Sequence, residues 1–439
     1  MTKLERNIVF SLPLISICFE IVKSFMSGEN NIMALRNYSF FLIIIFLLIK
    51  YFKVAVEANI YLVLLMFYLI LLLVLTQAKL EQVNDFIRVM DGKLTILLGF
   101  ILTSTYGHIQ TINRRLFVTN ILFVVSIIVF SILGIGQNQY GADSGFSVGY
   151  FNHGDIYTGS FLLIILPLIY FDSKGKVAKY VIPITGIATL IILVLSVRRT
   201  SVVLVGIGLI FLMYFFRHQF SKIILNVFAM AIVLALTFPF YQGILLRQVQ
   251  ARTGEMTANL QEETRWIETV AVYKERIMNP DLKVLLFGQH LFDSNGNYDN
   301  GIHGTRPLHL DLNLMLHGAG LVGLILLVLF YAYIFYKYLT LKIRLDLPNE
   351  KLMHAAFLGI YFAHLFLLFS GGMLSVTFNI ISMMYMGAIL GLFRSKRQEL
   401  KSLGVRDNVM STGFEKPVIS YPKNKPYIYE VNENASKFF

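Results

Sequence analysis

Four groups of residues in this 439-residue chain could do chemistry. Arg198 and Arg199 are adjacent, with apolar sequence on both sides (LVLSVRRTSVVLV). Two guanidinium groups beside apolar surface are costly unless they meet an anion. Their planar forks match phosphate oxygens and stay charged at any relevant pH. The plainer alternative is a tight turn whose arginines meet lipid headgroups or an acidic residue of another loop. His309 stands where a long polar stretch gives way to an apolar run. An imidazole there suits proton transfer near neutral pH; its alternative is an interfacial His bonded to a loop carbonyl. On a helix running from Leu310, the residues His309, Asn313, Leu316, Gly320 and Gly323 share one face, with glycines that permit close helix approach. His290, His303 and His317 compete with His309, and Asp311 points to the opposite face. Arg265, beside the only Trp, Trp266, is the third group; a lone Arg by default marks a solvated helix face. The fourth is GYFNHGDIYTG, whose His153 and Asp155 either cap an apolar helix or line a ligand groove. No metal-ligand spacing, Gly-rich phosphate loop or Ser nucleophile elbow occurs.

The elements that must position these residues are apolar helices. The chain is 56% hydrophobic and 15% charged, with mean hydropathy +0.66. That excludes an ordinary soluble protein and predicts an all-α, polytopic membrane bundle. About twelve spans emerge, near residues 8–26, 38–52, 59–76, 94–109, 116–136, 156–171, 177–197, 201–216, 223–241, 310–338, 353–370 and 374–393. The net charge of +12 does not point to nucleic acid, because Lys and Arg fall in short connectors, where they set topology. With the N-terminus inside, most of them lie on inward segments. Both termini are then cytoplasmic, and the polar stretch 242–308 is outside. The expected organisation is a bundle of about nine spans over 1–241, a large extracytoplasmic loop over 242–308, about three spans over 309–393, and a basic, disordered cytoplasmic tail over 394–439. Lys3 and Arg6 precede a retained first span. Cys18 is the only cysteine, so no intrachain disulfide forms.

Within the loop, residues 260–278 read as a helix. Asn259 and Glu262 have capping-box spacing, and Trp266, Val270, Tyr273 and Ile277 form one apolar stripe. Asn279-Pro280 ends it, and 294–304 is rich in turn residues.

Together these segments resemble the O-antigen ligase/polymerase superfamily of integral membrane glycosyltransferases, over residues 149–323. Ser196-Val197-Arg198-Arg199-Thr200 is similar to the family's Ser/Thr-x-Ser-Arg-Gly/Thr turn, with Arg199 at the key arginine and Arg198 where a small residue is commoner. Arg265-Trp266 through Pro280 to Gly288 resembles its loop segment. His309 through Leu316 to Gly320-Leu321 resembles its His-Asn-x-x-Leu stretch, with Leu310 in place of Asn and Asn313 in place of the first Leu. Phe151-Asn152-His153-Gly154-Asp155 resembles the approach to the sixth span, with Asp155 near the usual Asn.

The resemblance implies a multi-pass enzyme of the cytoplasmic membrane with its site on the outer face. The donor would be an oligosaccharide on a polyprenyl diphosphate, and the acceptor a saccharide. Arg199, Arg265 and Arg198 would hold the diphosphate, and His309 would be the general base of an inverting transfer. His153, Asp155, Asn313 and Trp266 would line the groove. No metal or other cofactor is implied; membrane lipids surround the chain, and a flippase or chain-length regulator is an expected partner. A polymerase, which uses a second carrier-linked repeat as acceptor, is preferred over a ligase, which uses a lipid or protein end product. A polysaccharide transporter or flippase is the reading from another class, though no inverted repeat is visible. The topology predicts that a cysteine at Ser294, in a Cys18-free background, labels from outside intact cells. Labelling only after the membrane is opened would reverse the orientation.

Overall fold

The computed structural model describes residues 2–26, 30–136, 146–151, 154–173, 175, 180–196, 198–253, 264–278, 281–294, 298, 308–342, 349–372 and 374–402. Among them the fold is helical, apart from one isolated bridge between Gly136 and Gly149. In chain order the helices are α1 (Lys3–Phe25), α2 (Asn30–Lys50), α3 (Phe52–Leu75), α4 (Leu80–Leu102), α5 (Tyr106–Leu133), α6 (Tyr157–Asp172), α7 (Ile182–Leu195), α8 (Arg199–Phe215), α9 (Phe220–Thr253), α10 (Thr264–Tyr273), α11 (Leu282–Phe287), α12 (Asp311–Leu341), α13 (Glu350–Leu368) and α14 (Val376–Ser402). Among the described residues, seven helices are long and apolar enough to cross a membrane: α1, α2, α3, α5, α12, α13 and α14. Three more, α6, α7 and α8, are apolar but shorter. Large apolar side chains such as Leu42, Phe46, Ile49, Leu71 and Ile132 cover the outside. That surface suits lipid rather than water, so the chain is a helical membrane protein.

A helix occupies each apolar run read from the sequence, but several bounds move. The fourth begins at Leu80 and ends at Leu102, and the fifth already starts at Tyr106. The shift is toward sequence too polar for a hydropathy pattern: α4 carries Glu81, Asp85, Arg88, Asp91 and Lys93, of which Asp91 and Lys93 are buried. The ninth runs through Thr253, so helix continues past residue 242. The last continues past Phe393 through Ser402, where Arg394 is paired with Glu57 at 2.6 Å. Residues 403–439, the proposed cap at Asn259 and Glu262, and the segment after Ser294 up to Leu308, Tyr298 excepted, lie outside the described residues.

The core is built around α14, which is buried from Val376 through Phe393. It packs most closely on α4 through glycines. A side chain on Gly99 would run into the Met384 carbonyl, and one on Gly387 into the Ile96 carbonyl. Small residues of this kind let two backbones approach within a membrane. α12 is kinked at Gly320, whose φ of 65° is left-handed. The kink frees two carbonyls, and both find donors. Tyr68 Oη gives a hydrogen bond to the Ala319 carbonyl at 2.7 Å, and the Gln289 amide gives one to His317 at 2.9 Å. The kink also divides the face shared by His309 and Gly323: Gly320 lies against Gly288 and Leu286 at the end of α11, and Gly323 against Tyr68.

The connectors sort onto two ends. One end gathers the segments around Tyr150, 289–294, His309 and 369–375, which bond to one another or to the tips of α1 and α4. The opposite end holds Arg6–His108 and the Asp172–Asn113–Asn349 cluster. Ser294 is buried, and its hydroxyl accepts from the Leu308 amide at 2.9 Å, so exposed Gln289 is the better labelling position. Gly387→Val should overpack the α4–α14 seam by at least ~1–3 kcal/mol and lower the thermal midpoint in detergent. Gly206→Val, at a position with open space around it, should leave the midpoint unchanged.

Candidate functional site

The loop helix α10 docks on the start of α12 by a face that combines Glu268 and Thr269 with Ala271 and Val272. Trp266 (57% exposed), Tyr273 and Ile277 point away from the bundle, while Glu268, Ala271, Val272 and Arg276 are buried. The apolar stripe read from the sequence is therefore the outer face, and Trp266 stands on it rather than in a groove. The reason lies in the partner. The start of α12 presents His309, Asn313 and His317, which a stripe of Trp and Ile could not satisfy. Helix extends from Thr264 to Tyr273 and passes into a π turn over Lys274–Met278.

His309 sits just before Leu310, the extended residue that precedes α12. Glu268 takes hold of it twice. One carboxylate oxygen accepts from the His309 amide at 3.1 Å, and the other lies 2.9 Å from Nδ1. Glu268 is 1% exposed, whereas the His309 side chain is 45% exposed. A carboxylate facing it only accepts, so Nδ1 carries a proton, and in the neutral ring Nε2 keeps its lone pair. This is the geometry of a base held in one tautomer by an orienting acid. Next to it, Asn313 donates to Thr269 Oγ1 at 2.9 Å. Arg265, partly exposed, precedes Glu268 by three residues and so lies beside it on the helix surface.

The turn over 369–375 supports the site from below. A side chain at Gly371 would run into the His309 carbonyl, and Asp311 accepts from the Gly372 amide at 3.0 Å. Asp311 is buried, so it braces this turn rather than facing solvent. The same turn accepts from Arg88 at the Leu374 carbonyl (3.4 Å), and Ser375 leaves room only for a glycine at Gly154. This brings Asp155 to the same end of the bundle. Asp155 is 2% exposed and faces Glu20, Lys23, Arg36 and Arg88; burial, with the Glu20 charge beside it, pushes its carboxyl up to about 7. It is thus part of a closed charge cluster, not an open groove wall. His153 lies outside the described residues.

Arg198 caps α8 and Arg199 is its first residue, after a turn so short that α7 ends at Leu195. Arg199 is exposed and Arg198 partly so. The first turn of α8 packs on α6, where Ser160 donates to the Ser201 carbonyl at 3.2 Å. The structure therefore joins His309, Asn313 and the helix of Arg265 into one unit, and sets Arg198 and Arg199 on the adjoining α6–α8 pair. Farther along α8, a groove of about 330 Å³ opens against α13, lined by Ile207, Ile210, Phe211, Phe362, Leu365, Phe366 and Phe369. α8 opens with Arg199, and α13 leads into the turn beneath His309.

Sequence reasoning missed Glu268, Thr269 and Arg276, and also the buried Glu20–Arg36 pair at 2.6 Å. One signal was available: Glu268 falls one helical turn after Arg265. Compared with known proteins, the chain matches no family model and no curated relative. Imidazole ¹⁵N spectra of labelled protein in nanodiscs should show His309 as the Nδ1–H tautomer. Glu268→Ala should convert it to a tautomer mixture, and an unchanged spectrum would mean that Glu268 does not orient the ring.

Proposed function

We propose that the chain is a membrane glycosyltransferase that polymerises a surface polysaccharide, taking glycan from a polyprenyl diphosphate carrier and adding it to the acceptor sugar of another carrier-linked repeat. The observation that carries the reading is the exposed His309 held by buried Glu268, at the bundle end that also bears Arg198, Arg199 and Arg265. About twelve spans, an outward loop and cytoplasmic termini belong to the same reading, with the site on the outer face of the cytoplasmic membrane.

In the reaction, His309 Nε2 takes the proton from the acceptor hydroxyl. The acceptor oxygen forms a bond to the anomeric carbon from the face opposite the leaving group. The bond from that carbon to the phosphate oxygen breaks, and the diphosphate leaves with the electron pair. The configuration inverts. Glu268 stabilises the imidazolium that forms. Guanidinium groups of Arg199 and Arg265, with Arg198 beside them, meet the charge that grows on the diphosphate. The apolar groove between α8 and α13 suits part of a polyprenyl tail. A ligase would use the same residues with a different acceptor.

One observation favours a transporter: the buried cluster of Glu20, Lys23, Arg36, Asp91 and Asp155, since ionisable groups inside a membrane bundle often mark a path for ions or substrate. The deciding assay uses purified protein in nanodiscs or vesicles with a lipid-linked oligosaccharide, reading donor binding, product and translocation separately. His309→Ala should keep donor binding and lose about 10²–10⁴-fold in turnover. Arg199→Ala and Arg265→Ala should lose binding as well, with Lys restoring only part. Movement of intact substrate across the bilayer, with no new glycosidic bond in any variant, would replace the enzyme by the transporter.

A further inference from the structure

We infer that Arg276 and His317 are positioning residues for His309: their hydrogen bond fixes the register in which the loop helix lies on α12. Three side-chain pairs join the two elements, at His309 and at the fourth and eighth residues after it. They are Glu268–His309 at 2.9 Å, Thr269–Asn313 at 2.9 Å and Arg276–His317 at 2.8 Å. The third is the most deeply buried, with Arg276 3% and His317 0% exposed.

The π turn over Lys274–Met278 explains how that third pair is reached. In an unbroken α-helix, position +8 from Glu268 would have turned about 80° away from it. A π turn holds roughly one residue more than an α turn, and so brings Arg276 back toward the face of Glu268. π turns are rare, and this one serves to place a guanidinium against a particular imidazole.

The tautomers follow from donor inventory alone. Arginine only donates, so His317 Nδ1 accepts and its proton sits on Nε2. At the other end a carboxylate only accepts, so His309 Nδ1 carries the proton. With both rings neutral, one loop helix thus holds the two histidines in opposite tautomers. Sliding α10 by one residue shifts it about 1.5 Å and rotates it about 100°, which breaks all three pairs. Without the buried pair, only the two bonds from His309 to Glu268 and the Asn313–Thr269 bond would hold Glu268 in register with His309.

The functional half of this inference rests on His309 being the base proposed above; the register half does not. In full-length protein with Cys18→Ser, cysteines placed at Thr269 and Asn313 report the register through their oxidation to a disulfide in membranes. Cross-linking should be rapid in this parent and with His317→Asn, whose side-chain oxygen accepts near the place of Nδ1. It should fall at least several-fold with His317→Phe and with Arg276→Met, the latter covering the case in which His317→Phe does not accumulate. In chains without the reporter cysteines, Arg276→Met and His317→Phe should lower kcat with donor KM unchanged, and His317→Asn should restore it. Cross-linking as fast in Arg276→Met as in the parent overturns the register assignment, whether or not the chain transfers sugar. Lost cross-linking with unchanged kcat overturns the positioning of His309. Lost cross-linking in a chain that makes no glycosidic bond leaves the register standing and sinks the transferase reading instead.

Discussion

A charge taken out of water is costly unless an opposite charge or a hydrogen bond answers it, and that cost shapes the end of the bundle that bears His309. Glu268 is answered by the amide and ring of His309, Glu20 by Arg36, and Arg276 by His317 and Glu275. Apart from Glu275, the sequence neighbour of Arg276, each partner comes from a different element. The polar groups therefore act as locators. They fix which connector lies over which helix, while the apolar surfaces around them would tolerate many alignments.

The apolar part of the fold solves a different problem. Lipid offers no hydrophobic drive between helices, so contact depends on close packing. Gly99 and Gly387 let α4 and α14 meet backbone to backbone, and α14 becomes the buried post of the bundle. The kink at Gly320 then gives the end of α11 a place to pack and leaves carbonyls that Tyr68 and Gln289 satisfy. The rigidity of the frame is what allows a half-exposed imidazole to keep one orientation. Gly371 passes directly beneath the His309 carbonyl, and Asp311 clamps the same turn through the amide of Gly372.

α10 shows how a helix on a membrane protein can invert the usual reading. Its most apolar stripe, with Trp266, Tyr273 and Ile277, faces outward, and its carboxylate and guanidinium face inward. Amphipathicity located the two faces correctly and could not say which was inside. In water the apolar face would be buried by default. Here the start of α12 offered hydrogen-bonding groups, and Trp266, Tyr273 and Ile277 stay on the exposed side.

By itself the sequence determined the class of the protein: apolar runs of bilayer length leave the backbone no choice but helix. It also marked His309 and Asn313 as neighbours on one helix face, because helical spacing and a change from polar to apolar sequence are local properties, whereas Arg265 was joined to them only by the family resemblance. It missed the true start of α4, since Asp91 and Lys93 look unfit for a bundle core until their surroundings are known. It could not supply Glu268 as the partner of His309, nor Arg276 as that of His317, nor assign Asp155 to a closed cluster with Glu20 and Arg36. Those pairings join residues about forty to more than a hundred positions apart. They depend on the direction in which folded helices point their side chains, which only the tertiary structure decides.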